Sequence, residues 1–397
     1  MIKSSRVIVA IALFSALLSF FKFNNCSSDN WAAPNVYIKM CYSDITALYG
    51  ARDIDQKVWP YQSSENAIEY PVITGLVIWL TSLPVDNYQR FFYLNIFLLA
   101  LLLIAVSLLI YRIRAQFAPL FILAPAVIAS LYINWDMWAV FGAILAIYLF
   151  KERRFDYSAI ALGVAIATKF FPIVLLIPVA LFFLNQRNIK ELIRFKLVLV
   201  ITWLAINLPV ALTSPGWSRF YKMNLERGND LGSVWFALEL LGINIGTSTI
   251  LVIGFILLLS LVYFARALRN FEQFIIITFL FVALFVTVSK VYSPQYVLWL
   301  TPIAIIAMTQ KKERSAFWIW QGGEAIYHFA IWQYLALASG AKYGISEGFY
   351  AIAILIRVAT LAWFARALIH SYPRSNFTLS ESGDSLTHLH PVRSELR

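Results

Sequence analysis

The sequence predicts an all-α polytopic membrane protein of about twelve transmembrane helices, and three observations carry that reading. First, the 397 residues are 60% hydrophobic and only 13% charged, where a soluble domain carries about 25% charged residues. Second, apolar runs recur from Val7 almost to Leu368, which leaves no room for a separate soluble domain of roughly 100 residues. Third, the basic residues behind the net charge of +11 stand in short clusters between those runs. Such a distribution reports membrane topology rather than nucleic-acid binding. The membrane domain is expected over 1–370, followed by a Ser-rich tail over 371–397 that reads as a disordered cytoplasmic end and holds His388 and His390.

In chain order, spans of suitable length and composition fall near 7–22, 90–111, 117–133, 137–150, 157–169, 171–184, 197–213, 248–266, 272–289, 296–309, 316–337 and 349–369. No small-residue cleavage site follows the first run, so it reads as an uncleaved helix rather than a signal peptide. The stretch "VITGLVIWLTSL", 72–83, is short, follows Pro71 and ends before Pro84. It is expected to lie on or dip into one leaflet instead of crossing. That choice sets the parity of all later spans, and charge tests it. With a cytoplasmic N-terminus, the inside segments hold 20 Lys/Arg against 8 Asp/Glu, while the outside loops hold 11 against 12. A full span at 72–83 would invert the later clusters, against the excess of Lys and Arg in cytoplasmic loops. Both termini are therefore expected inside.

The first outer loop, 23–89, is the longest and is rich in aromatics: Trp31, Tyr37, Tyr42, Tyr49, Trp59, Tyr61 and Tyr70. Such a loop is expected to fold against the bilayer. It contains both cysteines, Cys26 and Cys41, which are open to either a disulfide or two free thiols. Of its seven acids, Asp44 begins "DITALYG", a candidate short helix with Ile45 and Leu48 on one side. Other corners on the same face carry one charge among aromatics: Asn134 and Asp136 in "NWDMW", Lys169 in "ATKFFP", and Lys290, Tyr292 and Gln295 in "SKVYSPQY". An acid-bearing loop converging with two lysines suggests a site for an anionic ligand reached from the membrane. Against this, an arbitrary outer Asp is usually a solvated charge, and either lysine can snorkel to head groups. Glu324 and His328 share a helix one turn apart and are placed to hydrogen-bond; such a His is more often a core residue than a catalyst.

No GxGxxG or Walker pattern appears in a cytoplasmic segment, and no His/Cys cluster has metal-ligand spacing. An enzyme at the outer face then needs an activated substrate that arrives on a lipid. A polyprenyl-phosphate sugar qualifies, and its transfer requires one carboxylate as base and cations on the departing phosphate.

The ordered set "YSDITALYG", "EYPVITGLVIWL", "NWDMWAV", "ATKFFP", "SKVYSPQYVLWL" and "GGEAIYHFAIWQYLA" resembles actinobacterial membrane proteins of glycosyltransferase family 87, relatives of polyprenol-phosphate-mannose-dependent mannosyltransferases, over roughly residues 40–365. The resemblance implies a C-type glycosyltransferase fold and an inverting, metal-independent transfer of a hexose, with mannose expected. The donor would be a polyprenyl-phosphate sugar, the acceptor a glycolipid or cell-wall glycan on the extracytoplasmic face, and no cofactor is implied. It places the base on Asp44 and donor or substrate contacts on Glu69, Asp136, Lys169 and Lys290, with Tyr292, Gln295, Glu324 and His328 as further candidates. "SKV" stands where the family shows "NKV", and "EYPV" has a single Pro. A twelve-helix secondary transporter is the alternative, disfavoured by dissimilar halves and by polar residues gathered at one face; an inactive scaffold is a third.

Overall fold

A computed structural model describes residues 4–372, so the expected tail beyond 372 lies outside the described residues. Among these residues every regular element is helical. Six helices are long and apolar enough to cross a membrane: α1 (Ser5–Asn24), α5 (Tyr88–Arg114), α11 (Ile189–Thr213), α14 (Thr247–Phe264), α15 (Phe271–Val288) and α18 (Glu347–His370). The chain is therefore an integral membrane protein. The helix α17 (Glu313–Ala338) is equally long but more polar. Windows of α11 and α14 are only 17% and 11% buried, as suits helices whose apolar side chains face lipid.

Several expected spans prove to be broken. The stretch 117–133 divides into α6 (Ala118–Leu123) and α7 (Pro125–Ser130), because Pro125 cannot continue the hydrogen-bond ladder of the preceding turn. The stretch 171–184 opens with a 3-10 segment, Phe171–Leu175, containing Pro172, and continues as α10 (Leu176–Asn185). The run from 296 starts as 3-10 at Pro294–Tyr296 and continues as α16 (Val297–Ala307). With α8 (Asp136–Lys151) and α9 (Phe155–Thr168) these short helices pack inside the bundle. Glycines set that packing: a Cβ on Gly142 would stand 2.9 Å from the Ala165 methyl, and one on Gly163 would stand 3.0 Å from Leu199 O. Small residues let α8, α9 and α11 approach closely, which is how helices associate where no hydrophobic drive separates them from lipid.

Four further helices lie in the loops: α2 (Asn35–Ile38), α3 (Asp44–Ala51), α12 (Arg219–Glu226) and α13 (Val234–Leu240). The 72–83 stretch forms α4 (Val72–Ser82), and 11 residues span about 16 Å, half of a bilayer core.

Loop contacts sort the bundle into two ends. At one, the Arg114 guanidinium pairs with Glu272 and donates to Ile306 O (3.0 Å), Asn185 Nδ2 donates to Ala265 O (3.2 Å), Gln186 Nε2 to Arg269 O (3.2 Å), and Arg194 pairs with Asp156. These contacts join the basic clusters at 112–114, 151–154, 187–196 and 266–269. At the other end Asp44 N–H meets Ile133 O (2.7 Å), Gly216 N–H meets Tyr61 O (3.0 Å) and Asp230 N–H meets Lys290 O (2.8 Å). Both ends of α4 lie there too: Thr74 Oγ1 donates to Thr168 O (2.6 Å), and Trp79 Nε1 donates to Lys57 O (3.0 Å). Cys26 and Cys41, both fully buried, are joined as a disulfide that ties the end of α1 to the start of the Asp44 segment.

Candidate functional site

Helix α3 begins at Asp44 because Ser43, extended at φ −143° and ψ 129°, caps it: its hydroxyl accepts from Ile45 N–H at 3.3 Å. The same hydroxyl donates to Tyr132 O at 2.7 Å. Together with the bond from Asp44 N–H to Ile133 O, this fixes the helix start to the short segment before α8. Ile45 and Tyr49 turn inward, while Asp44 and Leu48 face a cavity of about 720 Å³.

Lys169 enters that cavity from the end of α9, where the helix stops ahead of the Pro172 turn. Beneath it, Asp136 at the first turn of α8 is inaccessible and pairs with Lys169 Nζ at 2.8 Å; the Lys169 side chain keeps 14% exposure. The other Asp136 oxygen accepts from Trp299 Nε1 at 2.7 Å. Tyr70 spans the two charges: its hydroxyl donates to Asp44 Oδ2 at 2.8 Å, and its ring lies 4.6 Å from Lys169 Nζ. Tyr37, Tyr42 and Trp332 stack in turn along one wall, with centroids 5.5–6.2 Å apart.

Burial pushes the Asp44 carboxyl above the ordinary carboxylate range, against the pull of the Tyr70 and Tyr42 hydroxyls and the Lys169 charge. For Lys169, burial works against the charge, yet Asp136, Tyr296 and Asp44 together hold it above the usual lysine value. The site therefore contains a carboxylate strengthened as a base and an ammonium held charged, in one cavity.

A second cavity of about 400 Å³ adjoins the first and shares Lys169, Phe220, Arg227 and Tyr296 with it. Its other walls are largely apolar, including Phe170, Phe171, Phe285 and Trp299, with Lys290 among them. The Lys290 ammonium donates to Arg227 O at 3.1 Å, and Arg227 pairs with Asp230. This corner contains Gly232, whose φ of +78° favours glycine and where a Cβ would collide with Tyr292 O and the Tyr327 hydroxyl.

The sequence-predicted residues thus divide. Asp44, Glu69, Lys169 and Gln295 line the main cavity, and Lys290 lines the adjoining one. Glu69 is held by Arg52 and, at 3.5 Å, by Arg219. Asp136 lies behind Lys169. Tyr292, Glu324 and His328 line neither cavity. Glu324 does not bond His328: its oxygens accept from Arg357 Nε (2.8 Å), Tyr292 Oη (3.1 Å) and Trp320 Nε1 (3.1 Å). A guanidinium offers a charge-assisted bond that a neighbouring imidazole cannot match. His328 instead lies edge-on to Trp332, centroids 5.7 Å apart, and its Nε2 has no hydrogen-bond partner.

Sequence reasoning missed the roles of Tyr70, Arg227, Tyr296 and Trp299. Tyr70, Tyr296 and Trp299 stood inside the quoted motifs beside residues already chosen, whereas Arg227 follows Arg219 and Lys222 in a loop that carried no motif. Among the described residues no three His, Cys, Asp or Glu side chains gather as a metal site.

Fold and site define a polytopic helical membrane protein with an acid–base cavity at one end of its bundle. No protein-family model matches the chain, and no curated protein matches it in sequence. Among solved structures, ArnT from Cupriavidus metallidurans bound to undecaprenyl phosphate is similar with a TM-score of 0.49 and 14% identity, over 92% of this chain and 78% of that one.

Proposed function

We propose that this protein is a membrane glycosyltransferase of the C-type fold that moves a hexose, mannose by motif resemblance, from a polyprenyl-phosphate donor to a hydroxyl of a glycolipid or glycan acceptor. One observation carries the reading: Asp44 and Lys169 share a cavity whose neighbour is apolar and carries Lys169, Arg227 and Lys290 on its walls. An isoprenoid phosphate matches that neighbour, with its chain against Phe170, Phe285 and Trp299 and its phosphate toward the cations. In the reaction Asp44 takes the proton of the acceptor hydroxyl as that oxygen bonds the anomeric carbon. The bond from that carbon to the phosphate oxygen breaks, and the electron pair leaves on the phosphate beside Lys169 and Lys290. Attack opposite the leaving group inverts the anomeric centre.

The disulfide and the segregation of basic loops to the far end support placing this cavity on the extracytoplasmic side. The transporter alternative expects ligand groups at mid-membrane on broken helices, whereas Asp44, Glu69, Lys169 and Arg227 all sit in loops or at helix ends. The decisive experiment supplies membranes containing the protein with polyprenyl-phosphate mannose and compares the native chain with Asp44→Asn; transfer by the variant at the native rate removes Asp44 as the base.

A further inference from the structure

A third cavity, of about 510 Å³, lies at the other end of the bundle, between the first turns of α17 and the last turns of α18. Each helix contributes one stripe at the spacing i, i+3, i+4, i+7: Lys312, Ser315, Ala316 and Ile319 from one, Trp363, Arg366, Ala367 and His370 from the other. The stripes run antiparallel, so their polar ends coincide. Lys312 and Arg366 form an exposed cationic mouth with His370 beside them, and Ile319 and Trp363, 49% and 55% exposed, lie about 10 Å deeper. The two alanines leave the slot open between the helices. It closes further along, where Gly323 and Thr360 bring them so close that a Cβ on Gly323 would meet the Thr360 side chain.

Among the described residues the exposed charge at the mouth is of one sign. The single carboxylate in the lining, Glu313, is 1% exposed and turned back to accept from Thr309 N–H (2.7 Å) and Gln310 N–H (2.9 Å). Arg366 Nε donates to His370 Nε2 at 3.3 Å, which steadies the guanidinium with its other nitrogens outward. A free anion would use the mouth and leave the apolar depth empty, whereas a lipid fills both.

We propose that this slot binds one anionic glycerophospholipid, with the phosphate against Lys312 and Arg366 and an acyl chain between Ile319 and Trp363. The binding is independent of the chemistry at the opposite end. The test places the purified full chain in nanodiscs of phosphatidylcholine with or without phosphatidylglycerol, and reads lipid retention by native mass spectrometry together with the thermal midpoint. Phosphatidylglycerol is expected to be retained selectively and to raise the midpoint. The double variant Lys312→Ala/Arg366→Ala, both at exposed positions, is expected to weaken retention about thirtyfold. Arg366→Lys, which keeps the charge, is expected to stay within roughly threefold of the native chain, and Trp363→Ala to lose retention while keeping the mouth. Equal retention of phosphatidylcholine, an unaffected double variant, or displacement of the lipid by soluble glycerol phosphate would each overturn the proposal.

Discussion

Two buried acid–base clusters sit in the same half of the molecule, and they are built on opposite plans. Around Glu324 everything is closed. The carboxylate accepts from Arg357, Tyr292 and Trp320, and the Arg357 guanidinium lies between the Tyr292 and Tyr327 rings at 3.4 and 4.0 Å while donating also to Tyr292 O (2.6 Å) and Ser293 O (3.2 Å). Around Asp44 the arrangement is open: Asp136 neutralises Lys169, and Asp44 itself is left with hydroxyl donors and a cavity. Charge burial in a membrane protein thus serves two ends here. A saturated pair fixes the loop after α15 to α17 and α18, whereas the Asp44 carboxylate faces a cavity with no cation paired to it directly.

Substitutions break or sharpen that contrast. The largest effect is expected from Asp44→Asn: transfer falls by about 10²–10⁴-fold while the protein folds. Its melting temperature should equal or exceed that of the native chain at neutral pH. The raised carboxyl favours the folded state only while protonated, and that contribution is lost as pH rises through its folded-state value, so the amide removes a cost. In the closed cluster the outcome reverses. Arg357→Met should cost about 3–5 kcal/mol of stability by stranding Glu324, seen as lost folded yield, and Glu324→Leu added to it should recover most of that. Recovery of stability by Arg357→Met alone would show the cluster to be open after all.

Between these lies Lys169→Met, expected to lower kcat about 10²-fold, since it removes a cation facing the leaving group and leaves Asp136 unpaired. Lys290→Met should mainly raise the donor KM, by about tenfold, because Lys290 lines the adjoining cavity and not the one that holds Asp44. The smallest effect is a displacement of a pH profile. Transfer should fall on the acid side at a pH above the ordinary carboxylate range, because Asp44 must be ionised to act. Tyr70→Phe removes a hydroxyl that bonds the charged form, so this acid limb should move to still higher pH; a shift downward would contradict the assigned hydrogen bond.

Sequence made most of the long apolar helices legible to within a few residues, because 20 or so apolar residues in a row have few other uses; α11 starts at Ile189, eight residues ahead of the expected 197, because its first two turns carry Lys190, Glu191, Arg194 and Lys196 and are not apolar. The short α4 was legible for the converse reason: Pro71 and Pro84 bound a run too brief to cross. What pattern did not show is where a span breaks inside the bundle, as at Pro125 and Pro172, since buried broken helices are apolar on every side. The loop helices α2, α12 and α13 have four to eight residues, and unlike α3 they follow no acid that singled them out. Within the site, Asp44 and Lys169 could be chosen by type and position, but Glu324 was paired with its sequence neighbour His328 when its partner is Arg357, 33 residues away. Long-range pairing of that kind leaves no trace in local spacing. The cysteines were open to two states for the same reason, and the fold resolves them by placing their Cα atoms 6.2 Å apart with the sulfurs joined.

One short segment, 132–136, has a further consequence. It receives the hydroxyl of Ser43 and the N–H of Asp44 on its carbonyls, and four residues after Tyr132 it supplies the carboxylate that holds Lys169. Asp44 and Lys169 are therefore both tied to the same few residues, the first through backbone carbonyls and the second through the Asp136 carboxylate. A bilayer of different thickness that tilts the spanning helices is expected to move the two groups together. The spacing of carboxylate and ammonium should then vary less with membrane thickness than the spacing of the helices themselves.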